Sequence, residues 1–234
     1  MKYDVILFDA DGTLLDFHRS EREALSEALE QIRMPYDGQV LDTYSRINDG
    51  LWKQLERGEV QKSDLFYLRF QRFFEHYGFS WDPKDMAKRY MENLSHKGYL
   101  LEGARELCEA LYGRVRLYIV TNGVDFIQRG RFAVCGIGDY FEERFISDHL
   151  GYEKPRVEYF QEVARRIPNF KKERTLIVGD SLSSDIQGGI NFGIDTCWYN
   201  PAKKEVPSAM EGRITYAVES FDQLRRLILE ENEA

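Results

Sequence analysis

Three short apolar segments of this chain end in residues suited to polar chemistry. Val5-Ile6-Leu7-Phe8 runs into Asp9-Ala10-Asp11-Gly12-Thr13, and Leu117-Tyr118-Ile119-Val120 runs into Thr121-Asn122-Gly123. Leu176-Ile177-Val178 runs into Gly179-Asp180-Ser181, with Asp185 soon after. A single Asp-x-Asp usually marks a turn or a helix cap; polar residues at the ends of all three apolar runs form a different pattern. Ligands of open parallel sheets bind outside the carboxyl ends of the strands, so Asp9, Asp11, Thr121 and Asp180 are expected to converge on one crest. Carboxylates packed together repel strongly at low effective dielectric. The cluster therefore requires a cation, and oxygen-only ligands favour Mg²⁺. Carboxylates around Mg²⁺ suit phosphoryl transfer, where the metal and a fixed cation neutralise the transferring oxygens.

The elements that must position these residues are legible in outline. Each apolar run is rich in β-branched or aromatic residues, does not alternate and is too short for a helix, which predicts strands buried on both faces. Helical spacing lies between them, in Leu107 and Leu111 and again in Tyr159, Val163 and Ile167. Buried strands separated by helices predict an α/β fold, a three-layer Rossmann-like parallel sheet. A last helix is expected from about Ser220, where Ser220 and Gln223 have capping-box spacing. Residues 17–96 differ in having helical periodicity and no buried-strand run. Ser20 and Glu23 form a capping-box pair ahead of Leu25, Leu29 and Ile32. A second helix carries Leu65, Phe66, Phe70, Phe73, Phe74 and Tyr77 and stops at Gly78, and a third runs from about Pro83 to Leu94. The expected organisation is an α/β core of residues 1–16 and 97–234 interrupted by an all-helical domain of residues 17–96.

Composition narrows the class of protein. The chain has 234 residues, 32 Lys+Arg against 40 Asp+Glu, and a net charge of −8, of which the helical insertion holds −2. An acidic surface repels nucleic-acid polymers and anionic membranes, and no apolar stretch approaches the ~18 residues of a membrane span. A small phosphorylated ligand remains compatible. Cys108, Cys135 and Cys197 are odd in number and unpaired in spacing, as expected of reduced thiols in a core. Met1 leads directly into a run broken by Asp4 and Asp9, unlike a signal peptide, so a cytoplasmic protein is expected. His18, His76, His96 and His149 show no metal-ligand spacing. Gly188, Gly189 and Gly193 lack dinucleotide-loop spacing, which leaves close helix packing as their reading.

Asp9-Ala10-Asp11-Gly12-Thr13 after a buried strand resembles the first motif of the haloacid dehalogenase superfamily. Thr121 in Ile-Val-Thr-Asn-Gly resembles the second, Lys154-Pro155 the third, and Gly179-Asp180-Ser181-Leu182-Ser183-Ser184-Asp185 the fourth. All four stand in the family's order and span nearly the whole chain. The resemblance implies that Asp9 is a nucleophile forming an aspartyl-phosphate. It makes Asp11 the acid for the leaving alcohol and then the base for water. It implies Mg²⁺ held by the Asp9 carboxylate, the Asp11 carbonyl and the Asp180 carboxylate, with Asp185 close by or acting through water. Thr121 and the Asn122 N–H would hold phosphate oxygens, and Lys154 would offset charge on Asp9 and the phosphoryl group.

Asp11 sets the chain apart from relatives lacking this second carboxylate, such as the dehalogenases, and favours phosphate esters. The insertion after the first motif resembles the superfamily's helical type-1 cap, which closes over small substrates. Phe-Asp-Ala-Asp-Gly-Thr-Leu-Leu-Asp-Phe, Gly-Leu-Trp-Lys and Gly-Gly-Ile-Asn-Phe-Gly-Ile-Asp-Thr-Cys-Trp are most similar to the YjjG- and YfnB-like pyrimidine 5′-nucleotidases. The resulting expectation is a Mg²⁺-dependent phosphatase of small phosphomonoesters, foremost nucleoside 5′-monophosphates. A sugar-phosphate phosphatase or a phosphoglucomutase-type enzyme would keep the same motifs. A non-catalytic phospho-receiver would need neither Asp11 nor a cap. Asn48 and Trp52 fall where a cap presents its substrate-facing turn, with packing of the cap core as the alternative for Trp52. Sequence leaves the oligomeric state open.

Overall fold

The structure, a computed structural model, describes residues 1–230. Six strands form one wholly parallel sheet: β1 (Val5–Phe8), β2 (Arg116–Thr121), β3 (Glu143–Ile146), β4 (Thr175–Gly179), β5 (Asp195–Tyr199) and β6 (Tyr216–Val218). Their order is β3-β2-β1-β4-β5-β6. β1 is central because it has no solvent-facing side: all four of its residues are buried. The chain builds outward from β1 through β2 to β3, then returns to β4 on β1's other edge and continues to β6. Order therefore reverses between β1 and β4, where a crevice opens at the carboxyl ends of an open sheet. The register pairs Phe8 with Ile119 on one side and with Val178 on the other, so β1, β2 and β4 end within two residues of one another at the same edge of the sheet.

The chain divides into two compact units. Among the described residues, the first comprises 1–16, 100–125 and 135–230, and the second 17–99 and 126–134. In the first unit, helices α5 (Ala104–Leu111), α7 (Ser147–Leu150), α8 (Val157–Arg166), α9 (Gln187–Phe192) and α10 (Phe221–Leu229) flank the sheet. Tyr159, Phe160 and Val163 of α8 pack on Val5, Leu7, Tyr118, Val120 and Ile177, the residues of one sheet face. Ile6, Phe8, Leu176 and Val178, which alternate with them, are also fully buried, as strands covered on both faces must be. Ser220 caps α10, its hydroxyl accepting from the Gln223 N–H, as its spacing predicts.

The second unit holds α1 (Phe17–Gln31), α2 (Gly38–Glu56), α3 (Lys62–Tyr77) and α4 (Pro83–Ser95), together with most of α6 (Asp125–Cys135). α1 packs on α4, α4 on α3 and α3 on α2. Its core is aromatic: Tyr44 lies 5.1 Å from Phe70 and 5.4 Å from Tyr90, centroid to centroid. Two expectations change. Ser20 is not an N-cap, because α1 already begins at Phe17 and the Ser20 hydroxyl donates to the Lys97 carbonyl instead. Residues 38–56, to which the sequence pattern assigns no helix, also form one, α2, capped by the Asp37 side chain on the Val40 N–H. No described helix is long and apolar enough to cross a membrane.

Candidate active site

The crest of the first unit is assembled from four loops. β1 ends with the Asp9 N–H still donating to Val178, after which the chain coils tightly, Leu14 and Leu15 both bonding back to the Ala10 carbonyl. Gly12 makes this coil possible with a φ of +85°, and a Cβ there would stand 2.6 Å from Asp180 Oδ2. Thr13, fully buried, donates to Asp9 Oδ2 at 3.3 Å and accepts from the Asp180 N–H at 3.1 Å. One hydroxyl thereby spans the loops that follow β1 and β4. Asp11 is half-buried at the mouth of the coil.

After β4, Gly179 leaves room for Asp185: a Cβ on it would lie 2.2 Å from Asp185 Oδ2. The chain then makes a single π-turn over Leu182–Ile186, with the Ser181 hydroxyl accepting from the Ser184 N–H. That turn carries Asp185 back under the loop, where its Oδ2 accepts from the Ser181 N–H at 3.1 Å. π-turns of this kind occur frequently at functional sites.

Lys154 sits among these groups, 1% exposed. Its ammonium donates to Asp9 Oδ1, Asp185 Oδ1 and the Val120 carbonyl, each at 2.7 Å. A buried ammonium is tolerable only when all three donors are used, and here they are. Asn122, just past β2, clamps the Lys154 backbone, accepting from its N–H at 2.8 Å and donating to its carbonyl at 2.9 Å. The Thr121 hydroxyl accepts from the Gly123 N–H, which shapes the loop beside it.

The electrostatics follow from burial. Removal from water favours the neutral form of Asp9 and lifts its pKa well above the carboxylate range; Lys154 opposes this, while Asp185 and Asp180 reinforce it. Burial alone would also strip Lys154 of its proton, but Asp185 and Asp9 outweigh that and hold it charged. Asp180 is exposed as a residue, yet its carboxyl lies low over Gly12. Desolvation, followed by Asp185 and Asp11 against Lys154, pushes it up to about 7. Oxygens of Asp9, Asp180 and Asp185 come within 4.8 Å of one another. Three carboxylates against one ammonium leave the cluster over-supplied with negative charge. Its all-oxygen donor set suits a hard divalent cation such as Mg²⁺.

The structure thus brings Asp9, Asp180, Asp185, Lys154 and the Thr121–Asn122 loop to one place, with Asp11 at its edge. It places Asn48 elsewhere. Asn48 is fully buried inside the helical unit, donating to Glu21 Oε1 at 2.8 Å and accepting from Arg69 at 3.3 Å. The expectation that Asn48 faces a substrate is therefore corrected: both ends of its amide are occupied by buried charged partners. Trp52, one turn further along α2, is half-buried. Sequence reasoning did not assign Thr13, whose place inside the first motif was the available signal. It also missed Trp198, whose indole N–H donates to the Asp180 carbonyl at 2.9 Å. All four histidines are exposed and all three cysteines are buried and free.

A parallel sheet with strand-end carboxylates and a buried lysine at its switch point defines a hydrolase fold of one particular kind. A haloacid dehalogenase-like hydrolase family model matches residues 3–193, and the chain belongs to that family. It is 41% identical to the pyrimidine 5′-nucleotidase PynA of Streptococcus pneumoniae, over 96% of this chain and 94% of that one. It is 30% identical to the pyrimidine 5′-nucleotidase YjjG of Escherichia coli, over 97% and 99%. The crystal structure of the HAD-hydrolase YfnB of Bacillus subtilis bound to magnesium superposes with a TM-score of 0.92 at 36% identity, covering 97% of this chain and 99% of that one.

Proposed function

We propose that the protein is a Mg²⁺-dependent phosphomonoesterase acting on pyrimidine nucleoside 5′-monophosphates. The observation that carries the reading is the grip of Lys154 on Asp9: the ammonium takes Oδ1 at 2.7 Å, and the other oxygen bonds only weakly to Thr13 at 3.3 Å. Asp9 is thereby oriented with one carboxylate oxygen available for attack. The naming of the similar streptococcal and E. coli proteins as pyrimidine 5′-nucleotidases supports the substrate class. The magnesium in the Bacillus relative supports the cofactor.

Asp9, Asp180 and the Asp11 carbonyl would hold Mg²⁺, with Asp185 supporting them; the bound ion supplies positive charge to carboxylates and phosphate together. Asp9 Oδ2, the oxygen that Lys154 leaves to Thr13, attacks phosphorus, forming an O–P bond to the carboxylate as the bond from phosphorus to the 5′-oxygen breaks. Asp11 donates its proton to that leaving oxygen and so becomes a base. It then takes a proton from water, whose oxygen attacks phosphorus and releases inorganic phosphate and free Asp9. Lys154 stays protonated throughout, offsetting charge on Asp9. Thr121 and the Asn122 N–H orient the phosphate oxygens, and the helical insertion serves as the cap.

The test is phosphate release from UMP, dUMP, dTMP and CMP beside AMP, GMP, glucose 6-phosphate and glyceraldehyde 3-phosphate. The reading expects the highest kcat/KM among the pyrimidine nucleotides. A sugar phosphate that exceeds all of them would overturn the substrate assignment and leave the phosphatase chemistry standing.

A further inference from the structure

We infer that Trp198 is a positioning residue for the cation site, acting through the backbone of Asp180. Trp198 lies on β5, in register with Gly179 on β4. From there its indole N–H reaches one residue beyond its partner and donates to the Asp180 carbonyl at 2.9 Å. The N–H of the same peptide unit, that of Ser181, donates to Asp185 Oδ2 at 3.1 Å. The Asp180–Ser181 peptide is thus held at both polar ends by side chains from different elements. Just before it, the Asp180 N–H is held by Thr13 Oγ1 at 3.1 Å. With all these backbone groups fixed, the Asp180 Cα has little freedom, and its carboxylate is aimed at the oxygens of Asp9 and Asp185 within 4.8 Å.

The indole itself is buried and closely packed. It is 2% exposed and packs with Ile186 and Met210, flanked by Leu182, Ile190 and Ile214. Ile186 and Leu182 bound the π-turn that carries Asp185, so a single side chain braces both the carbonyl of one acidic residue and the turn that delivers the other. Cation sites depend on such outer partners to orient their ligands. Loss of the N–H leaves the Asp180 carbonyl without its bond, and the carboxylate must then be ordered by the incoming cation. One neutral hydrogen bond is worth about 1 kcal/mol, which is about fivefold in a dissociation constant at 1.4 kcal/mol per decade.

The inference rests on the cluster being a divalent-cation site, and the experiment separates the two. Mg²⁺ is titrated calorimetrically into the cation-free full chain as wild type, Trp198→Phe and Trp81→Phe. The expected result is a Kd about fivefold higher in Trp198→Phe alone. The phosphatase rate at saturating Mg²⁺ should fall by less than twofold while the Mg²⁺ concentration for half-maximal rate rises in step with Kd. Trp81 serves as the control because its indole bonds Asp85 in the helical unit. Equal affinity in wild type and Trp198→Phe overturns the role of Trp198, whereas a wild type that binds no Mg²⁺ overturns the cation site itself. Should Trp198→Phe fail to fold, the wild type decides by NMR. The Trp198 indole N–H resonance should exchange more slowly than that of Trp81 and shift on Mg²⁺ addition, and a resonance unmoved by Mg²⁺ overturns the inference.

Discussion

Thr13 shows how much rests on one hydroxyl in this molecule. It bridges Asp9 and Asp180, residues on loops that are distant in sequence, and no apolar isostere can replace it. Thr13→Val keeps the shape but leaves the Asp180 N–H unpaired, which is expected to cost about 1–3 kcal/mol in chemical denaturation. Thr13→Ser should restore most of that loss. A second residue-scale prediction concerns Glu21 in the helical unit, whose carboxyl burial raises to about 6; Asp49 adds to this, and the Ser45 and Asn48 hydrogen bonds and Arg69 offset only part. A carboxyl with a raised folded pKa is stabilising in its protonated form, and that stability is lost as pH climbs from about 4.5 through 6. Wild type should therefore lose about 2 kcal/mol relative to Glu21→Gln between pH 4 and pH 8. Denaturation across that range checks it, and a pH-independent difference would contradict it. Asp9, Asp11, Thr121 and Asp180 were legible because each follows an apolar run. Thr13 stood inside the first motif, but its bridging role and that of Trp198 were not legible, because their partners are reached only after the chain has folded.

At the scale of elements, the loops matter more than the strands they follow. Gly12 is required both by its φ of +85° and by the Asp180 carboxyl, which would meet its Cβ at 2.6 Å. Gly12→Ala should fold, because the sheet is untouched, but displace Asp180. Misplacement of a site group by about 1 Å is expected to lower kcat by roughly 10²-fold, measurable in steady-state phosphate release beside an unchanged circular dichroism spectrum. The central strands β1, β2 and β4 were readable as uninterrupted apolar runs. The outer strands were not: β3 begins with Glu143 and Arg144, β5 begins with Asp195, and β6 is three residues long. α2 escaped notice because Thr43 and Asn48 interrupt its buried stripe. The Ser20–Glu23 pair misled for a related reason: a capping-box spacing within a helix is indistinguishable from one at its start until the Ser20 hydroxyl finds Lys97.

For the whole molecule, the expectation of a helical insertion over residues 17–96 rests on an absence of strand patterns, and the compact helical unit takes residues 17–99 with 126–134. The clustering of residues 126–134 with that insertion was not readable, since α6 follows the second motif in sequence and only packing assigns it. The net charge of −8 takes on a local meaning at the crest, where Asp9, Asp180 and Asp185 share one ammonium. Mg²⁺ at 100 times its Kd should stabilise the folded protein by about 2.7 kcal/mol, raising Tm by about 5–10 °C for a chain of this size. Asp180→Asn should lose most of that shift in a calorimetric scan. The central claim is that Asp9 itself carries the phosphoryl group. Acid quenching during turnover of a pyrimidine nucleotide with Mg²⁺, then borohydride reduction and peptide mass mapping, tests it most directly. The account expects Asp9, and no other carboxylate, to be reduced to homoserine, with the product absent when EDTA replaces Mg²⁺. Reduction at a different aspartate, or sustained turnover by Asp9→Asn at the wild-type rate, would contradict it.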